Sequence, residues 1–181
     1  MSNSHARTTK QAMDLAKMDG LVAIFPTDRE LTLDFDIPYT EAMIRHSAMV
    51  NSGKTSRTLR DLKTIMFLSQ LWTTSKSGNA HLYIYLNMPL DGVTRSFYQA
   101  LLGSDTTREL FNYTRLGENK GKEDRYEMCL FEKPDQADIV NTWRWKCRLE
   151  GAIYRINKVR YGHNTPELRN AMDRCKKKLG L

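Results

Sequence analysis

The sequence contains few cysteines and no long apolar run. The three cysteines among its 181 residues are Cys129, Cys147 and Cys175, which lie far apart and form no CxxC pair. An odd and scattered set is typical of reduced thiols inside a cell, so we expect a cytoplasmic, intracellular protein without a structural zinc site. No stretch of about 18 apolar residues is present, which excludes a hydrophobic spanning helix.

Repeats and low-complexity linkers are also missing. The first seven residues, Met-Ser-Asn-Ser-His-Ala-Arg, contain no apolar core, so we expect no secretion signal. Hydrophobic residues make up 40% of the chain and charged residues 27%, with a mean hydropathy of -0.57. This proportion of apolar residues is enough for a hydrophobic core, so wholesale disorder is not expected.

Basic residues outnumber acidic ones. Lys and Arg total 28 against 21 Asp and Glu, which gives a net charge of +7. Because a positive surface favours phosphate-rich partners, we predict contact with nucleic acid or nucleotides, and no membrane partner. The alternative is a solvated basic face with no partner.

Two segments alternate strictly between apolar and polar residues. In residues 31–37, Leu-Thr-Leu-Asp-Phe-Asp-Ile, and in residues 81–88, His-Leu-Tyr-Ile-Tyr-Leu-Asn-Met, every second side chain is apolar. This period of two predicts strands with one apolar and one polar face. Other patterns predict helices over 7–18, about 40–50 and 91–102, strands over 21–25 and 126–132, and helix from Gln136 onward; residues 59–72 give mixed signals and stay undivided.

These elements predict an α+β fold in which one sheet face is exposed or lines a cleft. We expect residues 1–135 to form the core and residues 136–181 to form a basic helical C-terminal segment packed on the same domain. The basic end, Arg174 to Lys178, is either a solvated tail or a phosphate contact. For Trp143 and Trp145, core packing is favoured over base stacking.

Asp34 and Asp36 are the first residues that suggest chemistry. At positions i and i+2 of a strand they project from the same face, and two like charges so close raise the free energy of ionisation of each other. A divalent cation would relieve this repulsion, and Mg²⁺ prefers carboxylate oxygens. The alternative is the solvated outer face of a strand.

His81 opens the second alternating strand, after the polar loop 75–79. If the two strands are neighbours, its imidazole stands beside the two aspartates. The loop Ser75-Lys76-Ser77-Gly78-Asn79 offers hydroxyls, an ammonium group and backbone N–H groups, which are the donors that a phosphate oxygen needs. The alternative for His81 is a hydrogen-bonded structural residue.

Two later segments add polar groups. Asp105, in Gly-Ser-Asp-Thr-Thr-Arg, is either a third carboxylate of the site or a helix N-cap. The run Arg-Leu-Gly-Glu-Asn-Lys-Gly-Lys over 115–122 suits a polyphosphate, because it combines glycine with one Arg and two Lys residues. Its alternative is an ordinary polar hairpin connection.

The order of these segments resembles the archaeo-eukaryotic primase superfamily, which includes primase-polymerases and plasmid RepB-type primases. The similarity covers about residues 20–132, and its motifs are Asp34-Phe35-Asp36, Ser75-Lys76-Ser77-Gly78-Asn79-Ala80-His81, Gly103-Ser104-Asp105, and Arg115-Leu116-Gly117 with Asn119 and Lys120. Members of the superfamily carry a DxD or DxE strand, a serine–x–histidine motif that opens a strand, and a later third carboxylate. Many also carry an arginine–glycine–asparagine–lysine stretch, often with a proline where this chain has Leu116.

The resemblance implies an RRM-like antiparallel sheet with flanking helices. It also implies a metal-dependent nucleotidyltransferase, a DNA primase or primase-polymerase, that makes short primers on a single-stranded DNA (or RNA) template from nucleoside triphosphates with Mg²⁺ or Mn²⁺. Carried over by position, the catalytic metal ligands are Asp34, Asp36 and Asp105, with Glu127 as the alternative third carboxylate, and the nucleotide-binding residues are Ser75, Ser77, His81, Arg115, Asn119 and Lys120. A helicase or another replication protein is the macromolecular partner that this function implies.

Two other functions fit the same residues. A non-catalytic, nucleic-acid-binding replication accessory protein would keep the primase-like fold and the charge, and would show salt-sensitive binding without metal-dependent activity. A metal-dependent nuclease would use the same acids to cleave a strand.

Overall fold

The computed structural model describes residues 8–51, 67–118, 129–162 and 165–180. Its elements are, in chain order, α1 (Thr9–Met18), β1 (Val22–Ile24), β2 (Glu30–Pro38), α2 (Tyr39–Asn51), β3 (Phe67–Thr74), β4 (Asn79–Leu86), α3 (Gly92–Leu101), α4 (Thr106–Glu118), β5 (Leu130–Glu132), α5 (Pro134–Tyr161) and α6 (Pro166–Leu179). Small antiparallel sheets with flanking helices confirm the α+β class that the sequence predicts.

The larger sheet has the strand order β2-β4-β3, and both neighbouring pairs are antiparallel. Its apolar face carries the alternating residues of the sequence, and the core consists of Leu31, Leu33, Phe35, Ala42, Ala80, Leu82, Ile84, Leu86 and Leu102. Burying such side chains contributes about 1.5–3 kcal/mol each, so this face explains why β2 and β4 form strands.

The polar face of β4 differs from the sequence prediction, because it is buried as well. His81, Tyr83 and Tyr85 are each at most 5% exposed. The smaller sheet, formed by β1 and β5, supplies Glu132, which accepts hydrogen bonds from the hydroxyl of Tyr83 and from the ring of His81. A buried polar face is stable here because its polar atoms find partners.

The free edge of β2 is completed by the helix pair α3 and α4 instead of by another strand. The backbone N–H of Thr32 donates to Gln99 Oε1 at 2.8 Å, and the N–H of Asp34 donates to Ser104 Oγ at 3.1 Å. The N–H of Asp105 donates to the carbonyl of Asp34 at 2.7 Å. The turn between the two helices therefore lies directly beside Asp34.

A buried carboxylate anchors this helix pair. Glu109 Oε1 accepts from Ser104 Oγ and from Arg108 Nη1, and its Oε2 accepts from Gln99 Nε2 and from Asn112 Nδ2, at distances of 2.6–3.0 Å. Each carboxylate oxygen of Glu109 therefore accepts two hydrogen bonds, which offsets the free-energy cost of burying the charge. The geometry of the turn thus depends on one residue of α4.

The sequence predicted helix α4 only through the N-cap alternative for Asp105, and the length of the helix changes the environment of Arg115. The sequence placed Arg115 in a loop, but it lies in the last turn of α4. The helix forms because Asp105 caps its first turn and Glu109 ties it to the sheet edge. Residues 119–122 of the expected loop lie outside the described residues, as do residues 59–66 of the undivided segment and residues 126–128 of the predicted strand.

Two compact units divide the chain, Met1–Ile139 and Val140–Leu181. The division falls inside α5, a few residues after the boundary expected at 135. In the second unit α5 and α6 contact each other through Glu150 and Lys176, whose charged atoms are 3.1 Å apart. Among the described residues, no helix combines the length and the hydropathy that crossing a membrane requires.

Gly103, in the turn before α4, is expected to be intolerant of a side chain. Its φ is +101°, and a Cβ atom would lie 3.3 Å from the ring of Phe35 in the core. We expect Gly103→Ala to lower the free energy of unfolding by about 2–4 kcal/mol, because backbone strain and crowding add. Denaturant unfolding measures this loss. The control is Gly20→Ala, also at positive φ but with nothing within 4 Å, which should lose only about 1 kcal/mol; equal losses would contradict the crowding argument.

Candidate active site

A cleft of about 730 Å³ opens on the first unit and collects most of the residues that the sequence singled out. Its polar lining consists of Asp19, Asp34, Asp36, Ser75, Lys76, Ser77, Asn79, His81, Asp105, Thr107 and Arg108. All three predicted carboxylates, both serines and the histidine therefore share one cavity, although they come from positions up to 71 residues apart in the sequence.

Asp34 and His81 face each other across the two neighbouring strands. They are direct partners in the register of β2 and β4, and Asp34 Oδ1 lies 3.6 Å from His81 Nε2. The sequence predicted that the imidazole would stand beside both aspartates, and the structure places it opposite Asp34 because the two alternating strands are neighbours.

Asp36 lies beyond an irregularity in the same strand. The pairing register of β2 shifts between Phe35 and Pro38, and the exposed Asp36 accepts a hydrogen bond through Oδ1 from Asn79 Nδ2 at 3.1 Å. A bulge of this kind re-aims side chains at the end of a strand. Asp36 still lines the cleft, but at its open rim.

Asp105 is a helix N-cap, which is one of the two roles that the sequence left as alternatives, and it also lines the cleft. Its Oδ1 accepts the backbone N–H of Arg108 at 2.7 Å, which is the hydrogen bond of a helix N-cap. The same residue lines the cleft, and its own N–H is bound to the carbonyl of Asp34. The capping hydrogen bond therefore keeps the carboxylate of Asp105 in the lining of the cleft.

Arg108 is a site residue that sequence reasoning missed. Its Nε lies 3.9 Å from Asp34 Oδ2, and its Nη1 donates to the carbonyl of Thr32 at 2.8 Å. Burial alone would lower the pKa of Arg108, but the carboxylates of Glu109 and Asp34 outweigh it and raise the pKa above its ordinary value. A permanent positive charge therefore lies under the carboxylates. Its only sequence signal is its place three residues after a helix cap.

The carboxyl group of Asp34 is electrostatically strained. Burial raises its pKa above the ordinary 3.8, Arg108 and His81 lower it in part, and the nearby charges of Asp36 and Asp105 raise it again. Crowded carboxylates with a raised pKa are a favourable environment for a hard divalent cation, which replaces mutual repulsion by attraction.

Glu132 is the second residue that the sequence analysis overlooked. It is fully buried, and its Oε1 accepts hydrogen bonds from Thr73 Oγ1, His81 Nδ1 and Tyr83 Oη, each at 2.7 Å. The available signal was an acidic residue at the end of a short apolar strand, where an unpartnered charge would be costly.

The hairpin between β3 and β4 forms one rim of the cleft. The N–H of Ser75 donates to the carbonyl of Asn79 at 2.8 Å, and the hydroxyls of Ser75 and Ser77 lie 2.9 Å apart. The ammonium group of Lys76 reaches the carbonyl of Asp19 at 3.1 Å. Two hydroxyls and one ammonium group, which are donors of the kind that a phosphate oxygen accepts, thus line the cleft together with its carboxylates.

Other predicted residues are not part of this cavity as described. Arg115 is in α4 and is not among the lining residues, while Asn119, Lys120 and Glu127 lie outside the described residues. Within residues 8–51, 67–118, 129–162 and 165–180, no three His, Cys, Asp or Glu side chains stand close enough to hold a metal ion as placed. Asp34, Asp36 and Asp105 supply the oxygen ligands that Mg²⁺ or Mn²⁺ prefers, so the donor chemistry fits, although their side chains are not gathered around one point.

Replacing Asp34 by Asn is expected to raise the melting temperature at neutral pH. The folded chain raises the pKa of Asp34 above its ordinary value of 3.8, so ionisation of this group lowers the free energy of unfolding. This loss is absent below pH 3.8, grows as the pH rises toward the folded-state pKa, and is complete above that pKa. The uncharged amide avoids it, so we expect a gain of about 2–4 °C at neutral pH that disappears in acid. Thermal unfolding over a range of pH, with Asp36→Asn at the exposed rim as control, measures the difference; a gain independent of pH would contradict it.

Comparison with known proteins identifies no relative of this chain. No protein-family model matches it, and neither a curated protein nor a solved structure is significantly similar to it. The chemistry of the cleft therefore has to be inferred from its side chains alone.

Proposed function

We propose that the protein is a metal-dependent nucleotidyltransferase, a primase or primase-polymerase, that synthesises short primers on a single-stranded nucleic-acid template. The observation that carries this proposal is the shared cleft in which Asp34 faces His81, with Asp36, Asp105 and the serine-lysine loop around them. Carboxylates for a cation beside donors for phosphates are the two halves of a phosphoryl-transfer site.

Each group has a role in this reaction. Asp34, Asp36 and Asp105 would hold Mg²⁺ or Mn²⁺, which when bound acidifies the attacking 3′-hydroxyl and neutralises the leaving pyrophosphate. Lys76, with the hydroxyls of Ser75 and Ser77, holds the triphosphate at the rim, and His81 faces the bound nucleotide through Nε2, which donates to a phosphate oxygen when it carries a hydrogen.

The charge of the cleft supports a requirement for the cation. Four aspartates line it, against Lys76 and Arg108 as the permanently positive residues of that lining. A triphosphate alone would be repelled by this excess of negative charge, whereas a divalent cation between the two anions makes binding favourable.

The test is de novo synthesis from labelled nucleotides on single-stranded DNA, with Mg²⁺ or Mn²⁺. We expect Asp34→Asn/Asp36→Asn to reduce product by at least about 100-fold, because the charges that bind the cation are lost. The matched control is Asp14→Asn/Asp138→Asn, which removes the same charge from exposed positions outside the cleft and should leave synthesis unchanged.

Three outcomes separate the hypotheses. Equal synthesis by the wild type and the Asp34→Asn/Asp36→Asn variant refutes the proposed site. Cleavage of the template without synthesis identifies the same acids as those of a nuclease. Binding of the template without either reaction identifies a non-catalytic accessory protein.

The distribution of charge favours the accessory role as the second candidate. Residues 140–181 contain 11 of the 28 basic residues and 3 of the 21 acidic residues, so this unit carries a net charge of +8 and the remaining 139 residues carry −1. The electrostatic attraction for a polyanion is therefore concentrated in residues 140–181.

Neutralising exposed lysines of α6 is expected to weaken binding of single-stranded DNA. Lys177→Gln/Lys178→Gln should reduce the slope of log K against log salt by about 1.4, since about 0.7 is lost for each phosphate contact. Fluorescence anisotropy of labelled DNA at several salt concentrations measures the slope. Lys10→Gln/Lys17→Gln, an equal change of charge on α1, is the control, and an equal effect of both pairs would contradict a binding role for α6.

A further inference from the structure

The hydrogen bonds around Glu132 converge on one oxygen atom. Three strands contribute to them: Thr73 from β3, His81 and Tyr83 from β4, and Glu132 itself from β5. The second carboxylate oxygen, Oε2, is buried and has no hydrogen-bond partner in the part of the chain that the structure describes. A buried acceptor left unused costs about 1–3 kcal/mol, so this arrangement is not one that stability alone would favour.

The convergence determines the tautomer of His81. The hydroxyls of Thr73 and Tyr83 donate their hydrogens to Glu132 Oε1, and a carboxylate is an acceptor only. The contact of His81 Nδ1 with the same oxygen therefore requires a hydrogen on Nδ1. The other ring nitrogen, Nε2, then faces the cleft and Asp34 Oδ1.

We infer that Glu132 is a positioning residue that holds the imidazole of His81 by Nδ1–H and leaves Nε2 for the ligand in the cleft. A histidine that acts on a ligand through one nitrogen is commonly oriented by a carboxylate on the other nitrogen. Thr73 and Tyr83 in turn keep Glu132 in place. The catalytic consequence of this inference rests on the proposed function, whereas the tautomer does not.

The tautomer can be measured directly in the full-length wild-type protein. Nitrogen-15 shifts and long-range nitrogen–proton correlations of His81 at alkaline pH should show a protonated Nδ1 and an unprotonated Nε2. Addition of inorganic triphosphate with Mg²⁺ should shift the Nε2 resonance and leave Nδ1 protonated. A wild-type spectrum with an unprotonated Nδ1 overturns the inference, whatever the variants do.

Two replacements of Glu132 separate positioning from stability. Glu132→Met removes the acceptor, so we expect mixed tautomers of His81 and nucleotide incorporation reduced about 10–100-fold. Glu132→Gln keeps one oxygen acceptor of the same reach, so it should retain Nδ1–H and recover most of the incorporation. If Glu132→Met does not fold, the Glu132→Gln spectrum decides, and loss of the Nδ1 hydrogen there contradicts the inference.

The matched control is Glu30→Met, which removes another fully buried carboxylate, at the start of β2 and outside the cleft lining. It should lower the melting temperature but leave the His81 tautomer and incorporation per folded molecule unchanged. If both Met variants alter incorporation equally, Glu132 has only a structural role. If the wild type makes no primer but shows the expected tautomer, the proposed function fails and the positioning of His81 stands.

Discussion

The antiparallel pairing of β2 with the central strand β4 is the constraint on which the cleft depends. It sets Asp34 directly opposite His81, and it also buries the apolar face that holds both strands. A shift of the register by one residue would turn every side chain of β2 to the other face, so the core and the cleft specify the same alignment. Packing and chemistry are thus enforced by the same set of hydrogen bonds.

Two buried carboxylates extend this constraint to the surrounding elements. Glu109 ties the turn between α3 and α4 to the edge of β2, where Gln99 and Ser104 replace a neighbouring strand. Glu132 ties the smaller sheet to the polar face of β4. Burying each carboxylate costs free energy, and several hydrogen-bond donors offset that cost. Because these donors must lie at particular positions, the two carboxylates fix the arrangement of the elements around the cleft.

The resulting cavity combines charges that oppose one another. Burial raises the pKa of Asp34, the guanidinium group of Arg108 lowers it in part, and the charges of Asp36 and Asp105 raise it further. Strain of this kind reduces the stability of the folded protein, and crowded ionisable groups with a raised pKa are common at functional sites. The carboxylates of the cleft belong to the first unit, which is nearly neutral in total, whereas the second unit carries a net charge of +8.

The amino-acid sequence predicted part of the sheet and most of the residues that line the cleft, but not the buried polar contacts between distant segments. Alternation alone predicted β2 and β4, two of the three long strands, and which of their side chains share a face, because a strand has a fixed period of two. It did not predict β3, most of which lies in the segment that the sequence left undivided. It did not reveal that Glu132 would lie against His81, 51 residues away, or that Asp34 would bind the turn at Ser104, 70 residues away. The cap of helix α4 is local, and the sequence offered it as one alternative for Asp105, whereas the anchor of the helix, Glu109, has its partner Gln99 in the preceding helix and showed no sequence signal. Local periodicity depends on neighbours along the chain, whereas strand order and buried polar partners depend on how distant segments pack, and only the folded structure decides that.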